Sequence, residues 1–331
     1  MRLAQLGAGR IGAMHAEILS SLLDEPGALL IADADPARAR TVADAVGAEA
    51  TEIGEAIATA DALVIAASST AHPELIRAGI DRGIPIFCEK PLATDLVETQ
   101  RLVREVEASG VPFQLGFQRR FDAAYCEARR LVADGSLGRL YVLRLAGHDP
   151  APPHEAYIPA SGGIFNDFSI HDFDVTRWLS GQEIEEVYAD GGVLGFPMFA
   201  KYDDVDTAVA TLRLSGGTRA ILSVTRHDPL GYDIRTELFG SGDSVSIGLG
   251  PRTPMRSLEP GVPPPVGPAW SMFIDRFRDA YEHELRAFLR VARGQEESAC
   301  TARDGLEAVR VAIAATRSMH EHRPVRISEV T

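Results

Sequence analysis

The strongest constraint on the fold is a glycine pattern near the start of the chain. The sequence LGAGRIGAMH places Gly7, Gly9 and Gly12 in the spacing G-x-G-x-x-G, between a strand-like run and a helical pattern. Glycine permits a tight turn and a close approach of the backbone to a pyrophosphate, and the helix N-terminus offers free N–H groups. The pattern alone is also compatible with an ordinary structural turn.

Asp33, which ends the apolar run LLIAD, favours a dinucleotide site. It stands 26 residues after Gly7, near the spacing at which an acidic residue hydrogen-bonds the adenosine ribose. A carboxylate there predicts NAD, because it would repel the 2′-phosphate of NADP. Arg38 and Arg40 follow in the next helical pattern; we interpret them as solvated and keep NADP as the minority alternative.

Strand-like and helical patterns alternate over roughly the first 117 residues. The strand-like runs are RLAQLG, LLIAD, ALVIAA, PIFCEK and PFQLGF. This alternation predicts a parallel, Rossmann-like sheet in a domain spanning residues 1–119. Beyond residue 120, runs such as AVATLRLS and TRAILSVTRH are joined by short glycine turns and predict an open-faced mixed or antiparallel sheet in a domain spanning residues 120–331.

Composition excludes several classes of protein. The net charge is −14 without a basic block, so no nucleic-acid partner is predicted. No run of about 18 apolar residues predicts a membrane span, and the first residues lack a signal-peptide pattern, so we expect a cytoplasmic protein. Three widely spaced cysteines indicate reduced thiols rather than disulfides or a zinc site.

The stretch SGGIFNDFSIHDFDVTRWL, residues 161–179, concentrates polar residues in a helical pattern. Asp167 and His171 are four residues apart, so we expect both on one face of one helix. An Asp–His pair on a solvated face is one alternative, and a metal site with Asp174 is another. No companion motif such as HExxH accompanies them, so no metal site is predicted.

The run PIFCEKPLA places Glu89 and Lys90 at the carboxyl end of a strand-like run, where open α/β sheets bind ligands. A solvated lysine is the ordinary alternative. With the other motifs, however, the chain resembles the Gfo/Idh/MocA oxidoreductases, and among them the inositol dehydrogenases, along nearly its whole length. The pieces that carry the resemblance are GAGRIGAMHA, FCEKPLA, GFQRRFD, DPAPP, SGGIFNDFSIHDFD and GYDIRTELFGS.

The resemblance implies an NAD-dependent dehydrogenase that oxidises a secondary hydroxyl of a cyclic polyol, with myo-inositol as the first candidate, to the ring ketone. It gives the catalytic positions to Lys90, Asp167 and His171. His171 would accept the hydroxyl proton, because imidazole titrates near neutral pH. Asp167 would orient the imidazole or the substrate hydroxyl, and Lys90 would hydrogen-bond the reacting oxygen.

The expected contacts form two sets. The cofactor-binding set is Gly7, Gly9, Arg10, Ile11, Gly12, Asp33, Glu89 and Lys90. The substrate-binding set is Lys90, His154, Asp167, His171 and Tyr232. The resemblance also implies a cis Lys90–Pro91 bond, helices on one side of the second sheet, and a homotetramer formed through that sheet, with contacts from Val209, Leu212 and Leu222.

Two positions depart from the family pattern and leave the preferred polyol open. His148 stands where inositol dehydrogenases commonly carry Arg, and Gln118 replaces Asn. Another cyclitol or a sugar, oxidised with NAD(P), is therefore an alternative substrate. Arg120 and Asp122 are expected to link the domains by an ion pair or to reach the substrate. A non-catalytic dinucleotide-binding sensor is the alternative class, and the three catalytic candidates argue against it.

Overall fold

The apolar runs of the first 117 residues form one parallel sheet. The computed structural model describes residues 1–23, 25 and 27–331. Within them, six strands lie in the order β3-β2-β1-β4-β5-β6, and each neighbouring pair is parallel. The strands are β1 (Leu3–Leu6), β2 (Leu29–Ala32), β3 (Glu49–Ala50), β4 (Ala62–Ile65), β5 (Ile86–Glu89) and β6 (Phe113–Gly116). The predicted Rossmann-like sheet is confirmed.

Helices connect these strands, as the helical patterns between the apolar runs predict. They are α1 (Arg10–Leu22), α2 (Pro36–Val46), α3 (Ile53–Thr59), α4 (His72–Arg82) and α5 (Leu96–Ser109). The strand order reverses between β1 and β4, and ligands of such sheets bind beside the carboxyl ends of the strands at this point. The glycine loop follows β1 directly.

A second sheet of seven strands has the order β12-β11-β7-β10-β9-β8-β13. Its strands are β7 (Leu140–His148), β8 (Ile184–Gly192), β9 (Thr207–Leu214), β10 (Arg219–Thr225), β11 (Asp233–Gly240), β12 (Ser244–Ile247) and β13 (Val325–Arg326). All neighbouring pairs are antiparallel except β7 and β10, which are parallel. The predicted mixed sheet is confirmed.

Side chains of β9 and β10 alternate between the two faces of this sheet. Val209 and Ile221 are about half exposed, whereas Leu212 and Leu222 are buried. The expectation that Leu212 and Leu222 share an exposed face with Val209 is therefore wrong. Residues of a strand share a face only at even separations, and Val209 and Leu212 are three positions apart.

The remaining helices are α6 (Ala123–Ala133), α7 (Ile158–Ser161), α8 (Ile164–Asp167), α9 (Ile170–Ser180), α10 (Phe273–Ala292) and α11 (Ala302–Glu321). The quoted stretch 161–179 therefore contains two helices rather than the single predicted one. The helical turn at the junction is wider than in an α-helix: the Ser169 N–H donates to the carbonyl of Ile164, five residues back, at 3.2 Å. None of the helices described is both long and apolar enough to cross a membrane.

The chain forms two compact units. The first comprises Met1–Phe121 and Asp279–Leu306, and the second comprises Asp122–Arg278 and Glu307–Thr331. The segment 279–306, which the predicted domain division assigns to the second domain, packs within the first unit. There the Cys300 carbonyl accepts from the Leu115 N–H at 3.0 Å.

Candidate active site

The three glycines after β1 differ in how much space surrounds them. At Gly7 (φ +109°) an added Cβ would clash with the backbone of Ala66, and at Gly12 it would clash with the carbonyl of Gly7. Gly9 precedes α1, and a Cβ there would meet no heavy atom within 4 Å. Gly9 therefore faces open space at a helix N-terminus, where a pyrophosphate fits.

Asp33 is tied to this glycine loop. Its Oδ2 accepts from the Ala8 N–H at 2.7 Å, and its Oδ1 accepts from the Asp35 N–H at 2.8 Å. The Arg38 guanidinium lies 3.6 Å from Asp33 Oδ1 and is half exposed. Arg38 is thus held beside a carboxylate. The Asp33 carboxylate, which follows β2, lies at the glycine loop, where the predicted contact with an NAD ribose needs it.

Lys90 follows β5 directly, and the Lys90–Pro91 peptide bond is cis, which confirms the expected geometry. The loop is anchored by His72, whose Nδ1 lies 2.7 Å from the Pro91 carbonyl and whose Nε2 lies 3.2 Å from the Ala67 carbonyl. Burial lowers the pKa of His72, so the ring is neutral at pH 7 and donates from one nitrogen only. Lys90 itself is partly buried.

The Glu89 carboxylate is held by a buried histidine. Its Oε1 lies 2.7 Å from Nε2 of His15, whose ring is fully buried. Glu284 of α10 is also fully buried, and desolvation, with repulsion from Glu89, raises its pKa well above the ordinary value. Burial therefore favours the protonated form of the Glu284 carboxyl group. This cluster supports the strand end that carries Lys90, while cofactor contact by Glu89 stays a prediction.

Asp167 is the last residue of α8, and His171 is the second residue of α9. The prediction that one regular helix carries both side chains is wrong, because the chain widens at Phe168 and Ser169. Asp167 and His171 are both partly exposed, whereas Asp172 and Asp174 are buried in the second unit. Partial exposure leaves Asp167 and His171 accessible to a substrate.

Both carboxylate oxygens of Asp167 have partners that the sequence analysis missed. Arg226 Nη1 lies 2.9 Å from Asp167 Oδ2. The Tyr157 hydroxyl donates to Asp167 Oδ1 at 2.8 Å. Burial alone would lower the pKa of Arg226, but attraction from Asp167 and Asp149 outweighs it, so the pKa is raised and the guanidinium stays charged.

A topological signal marks Arg226. It follows β10 directly, and Asp149 follows β7 directly; because these two strands are parallel, both residues emerge at the same edge of the sheet. Arg226 Nη1 lies 3.5 Å from Asp149 Oδ2. The parallel pairing could not be read from the sequence, and no local pattern marks Tyr157.

The two weaker substrate candidates have local contacts in the second unit. His154 is exposed and its Nδ1 accepts from the Ala156 N–H at 3.2 Å, capping a short 3₁₀ turn. Tyr232 is 5% exposed, and its ring centroid lies 6.5 Å from that of Phe277. A packing role is thus visible for Tyr232, and the substrate contacts of both residues stay predictions.

His148, the departure from the family pattern, lies beside two aspartates. Its Nδ1 is 3.5 Å from Asp233 Oδ2 and 3.8 Å from Asp228 Oδ2. These three side chains have the spacing of metal ligands within the part of the chain described. Arg235 also binds Asp233, at 2.8 Å, so part of the negative charge is already balanced by protein.

Arg120 and Asp122 each have an ion pair within their own unit. Arg120 Nη2 lies 3.0 Å from Asp304 Oδ1, in the first unit. Asp122 caps α6 and accepts from Arg276 at 2.9 Å, in the second unit. These two pairs therefore stabilise the units individually.

Comparison with known proteins matches both parts of the chain to one family. The model for the oxidoreductase family with an NAD-binding Rossmann fold matches residues 1–117, and the GFO/IDH/MocA C-terminal domain model matches residues 125–246. Together they span most of the chain, in the order that the sequence motifs predict.

Individual relatives are similar over nearly their full length. Myo-inositol dehydrogenase Hyg17 of Streptomyces leeuwenhoekii is 42% identical over 96% of this chain and 97% of its own. Myo-inositol 2-dehydrogenase of Thermotoga maritima is 37% identical over 100% and 99%. The crystal structure of scyllo-inositol dehydrogenase from Lactobacillus casei with NAD(H) and scyllo-inositol is 28% identical, covers 99% of each chain and has a TM-score of 0.87. This chain belongs to the Gfo/Idh/MocA family of oxidoreductases.

Proposed function

We propose that this protein is an NAD-dependent dehydrogenase that oxidises one secondary hydroxyl of a cyclic polyol, with myo-inositol as the preferred candidate. The observation that carries the proposal is the pairing, in one chain, of a glycine loop tied to Asp33 with a partly exposed Asp167 and His171. The similarity to relatives named myo-inositol dehydrogenases over their full length supports the choice of substrate.

The residues of the first unit fit NAD. The open space at Gly9 and the N–H groups of Arg10, Ile11 and Gly12 at the start of α1 suit a pyrophosphate. The Asp33 carboxylate suits the ribose hydroxyls and would repel the 2′-phosphate of NADP. Bound NAD supplies a nicotinamide C4 that accepts the hydride from the carbinol carbon.

The proposed catalytic residues divide the remaining work. His171 accepts the hydroxyl proton as the carbon loses hydride, so the products are the ring ketone, NADH and one proton. Lys90 donates a hydrogen bond to the reacting oxygen and stabilises its developing negative charge. Asp167 stabilises the positive charge that His171 acquires.

The test is the initial rate of NAD reduction with myo-inositol, with scyllo-inositol, D-chiro-inositol and glucose in parallel and NADP as the alternative oxidant. Turnover of myo-inositol with NAD is the expected result. Turnover of a different polyol alone would retain the mechanism and point to His148 and Gln118 as substrate determinants. NAD binding without turnover of any polyol would support the dinucleotide-binding sensor instead.

A matched pair of lysine variants tests the chemistry. Lys90 and Lys201 are the two lysines of the sequence, and Lys201 lies on the surface, paired with Glu155 at 2.9 Å. K90A should lower kcat by orders of magnitude while changing the Kd for NAD far less, because most of the proposed cofactor contacts remain. K201A should retain turnover. A wild-type rate in K90A would refute the mechanism.

We further propose a homotetramer that works in the cytoplasm. The exposed face of the second sheet carries partly exposed apolar side chains on neighbouring strands: Tyr141, Tyr188, Val209 and Ile221. An apolar patch of this kind suits association between copies of the chain. The three cysteines are free thiols, which suits a reducing compartment.

A further inference from the structure

Arg226 is a buried cation surrounded by carboxylates. Its side chain is 3% exposed, so water cannot solvate the guanidinium, and anionic neighbours must balance its charge. Asp167, Asp149 and Asp204 provide that balance. The arrangement holds one positive charge among three negative ones, so the guanidinium offsets the mutual repulsion of the carboxylates.

Asp167 is held from two sides by this arrangement. Arg226 binds Oδ2 at 2.9 Å, and the Tyr157 hydroxyl binds Oδ1 at 2.8 Å. The plane of the carboxylate is therefore fixed. Tyr157 is 47% exposed, so water can replace its hydroxyl, whereas nothing replaces a buried guanidinium.

We propose that Arg226 is a positioning residue that fixes the orientation and the negative charge of Asp167. The inference rests on the proposed function, in which Asp167 acts beside His171. Asp167 is then a permanent anion rather than a proton acceptor. Its charge stabilises the imidazolium that forms when His171 takes the substrate proton. Asp149 lies 3.5 Å from the same Nη1 and competes with Asp167 for the positive charge of Arg226.

The sign of the electrostatic effect follows from the charges present. The carboxylates that act on Arg226 are Asp167, Asp149 after β7 and Asp204 before β9, and the Tyr157 hydroxyl binds Asp167. The other titratable groups close along the chain are Asp172 and Asp174 of α9, Asp206 before β9, and His227 after Arg226 itself. Removing a positive charge raises the pKa of neighbouring acids and of imidazolium alike, and removing a negative charge lowers it. Arg226 and Asp149 variants must therefore shift the acid limb of kcat/KM in opposite directions.

The experiment measures kcat/KM against pH for the full-length protein with NAD and the polyol that the wild type oxidises. R226Q should lower kcat/KM by about 10- to 100-fold and move the acid limb to higher pH by about one unit. R226K keeps the charge, so it should restore the position of the acid limb while kcat stays reduced. D149N, which is nearly isosteric, should move the limb to lower pH.

Two controls separate positioning from a structural effect. Arg177 of α9 pairs with Glu183 at 2.7 Å and has a side chain that is only 10% exposed, so R177Q removes a different arginine–carboxylate pair of the second unit. R177Q should leave the acid limb in place. The Kd for NAD should remain unchanged in all variants, since the proposed NAD residues lie in the first unit.

An R226Q variant with the wild-type acid limb would overturn the inference, whatever its rate. Where R226Q fails to fold, D149N decides, because an unmoved or upward-shifted limb in that variant contradicts the electrostatic coupling. A wild type that oxidises no polyol would refute the proposed function instead. The His171 imidazole, followed by NMR titration and assigned with H171A, then tests the inference without turnover: its pKa should rise in R226Q and fall in D149N, and the opposite or no shift would overturn it.

Discussion

The glycine loop allows the cofactor-binding role proposed for Gly9 to be separated from the folding role of its neighbours Gly7 and Gly12. A Cβ added at Gly9 would have no protein heavy atom within 4 Å, and the φ angle of Gly9 is not positive. G9A should therefore fold. Replacing Gly by Ala at an N-cap costs about 0.5–1 kcal/mol, and the reduced entropy of the unfolded chain offsets about 0.4–1 kcal/mol, so Tm should stay within about 2 °C.

The same methyl group would occupy the space in which the proposed pyrophosphate contact with α1 lies. Loss of two charge-assisted hydrogen bonds, at about 1.5–3 kcal/mol each, corresponds to an increase of about a hundredfold or more in the Kd for NAD. Isothermal titration with NAD and thermal unfolding of the same samples provide the two readouts. G9A should change the first and spare the second.

Two further glycines serve as controls. At Gly12 a Cβ would lie within 3.0 Å of backbone atoms that cannot move aside, so G12A should lower Tm by several degrees. At Gly54, inside α3, a Cβ also meets nothing within 4 Å, so G54A should fold and bind NAD normally. Wild-type NAD affinity in G9A would refute the assignment of this loop to the pyrophosphate.

Three other predictions follow from features of the two units. D33A should reduce the ratio of kcat/KM with NAD to kcat/KM with NADP by at least about tenfold, because the repulsion between the Asp33 carboxylate and the 2′-phosphate of NADP is removed. An unchanged ratio would show that other residues determine the choice of cofactor. The pKa of Glu284 is higher in the folded state than in the unfolded state, so the folded state loses stability as the pH rises above the ordinary pKa of a glutamate. E284Q lacks this carboxyl group. The Tm of E284Q minus that of the wild type should therefore grow between about pH 5 and pH 9. E282Q, at a partly exposed position on the same helix, should show no such trend. A charge on the exposed sheet face, in V209E or I221E, should dissociate the proposed tetramer in light scattering without loss of fold, and an intact tetramer would locate the interface elsewhere.

Local sequence patterns were sufficient wherever neighbouring residues decide the structure. The glycine spacing and the alternating apolar runs predict the Rossmann-like sheet, because turn geometry and side-chain periodicity act over a few residues. Full-length motif order identified the family, which the family models confirm. The spacing between Gly7 and Asp33 predicts a carboxylate near the glycine loop, and Asp33 accepts a hydrogen bond from the Ala8 N–H of that loop.

Patterns failed where distant residues decide. The widened turn between Asp167 and His171 interrupts a stretch whose periodicity reads as one helix. The contact of Asp167 with Arg226 joins positions 59 residues apart and depends on a parallel pairing of strands that no local pattern encodes. Leu212 was assigned to the wrong face although strand alternation alone would have placed it correctly.

The first unit is built from two chain segments that are far apart in the sequence, and this affects its folding during biosynthesis. Its parallel sheet ends at β6, yet the Leu115 N–H and the Gln114 side chain find their acceptors on Cys300 and Glu284, at 3.0 and 2.9 Å. A ribosome therefore releases the sheet long before it releases the segment that completes the same core. The nascent dinucleotide-binding unit must wait for about 160 intervening residues, residues 122–278 of the second unit, to be synthesised. A gene truncated after residue 119 should yield an aggregation-prone fragment, whereas the second unit has most of its chain available before the first is finished.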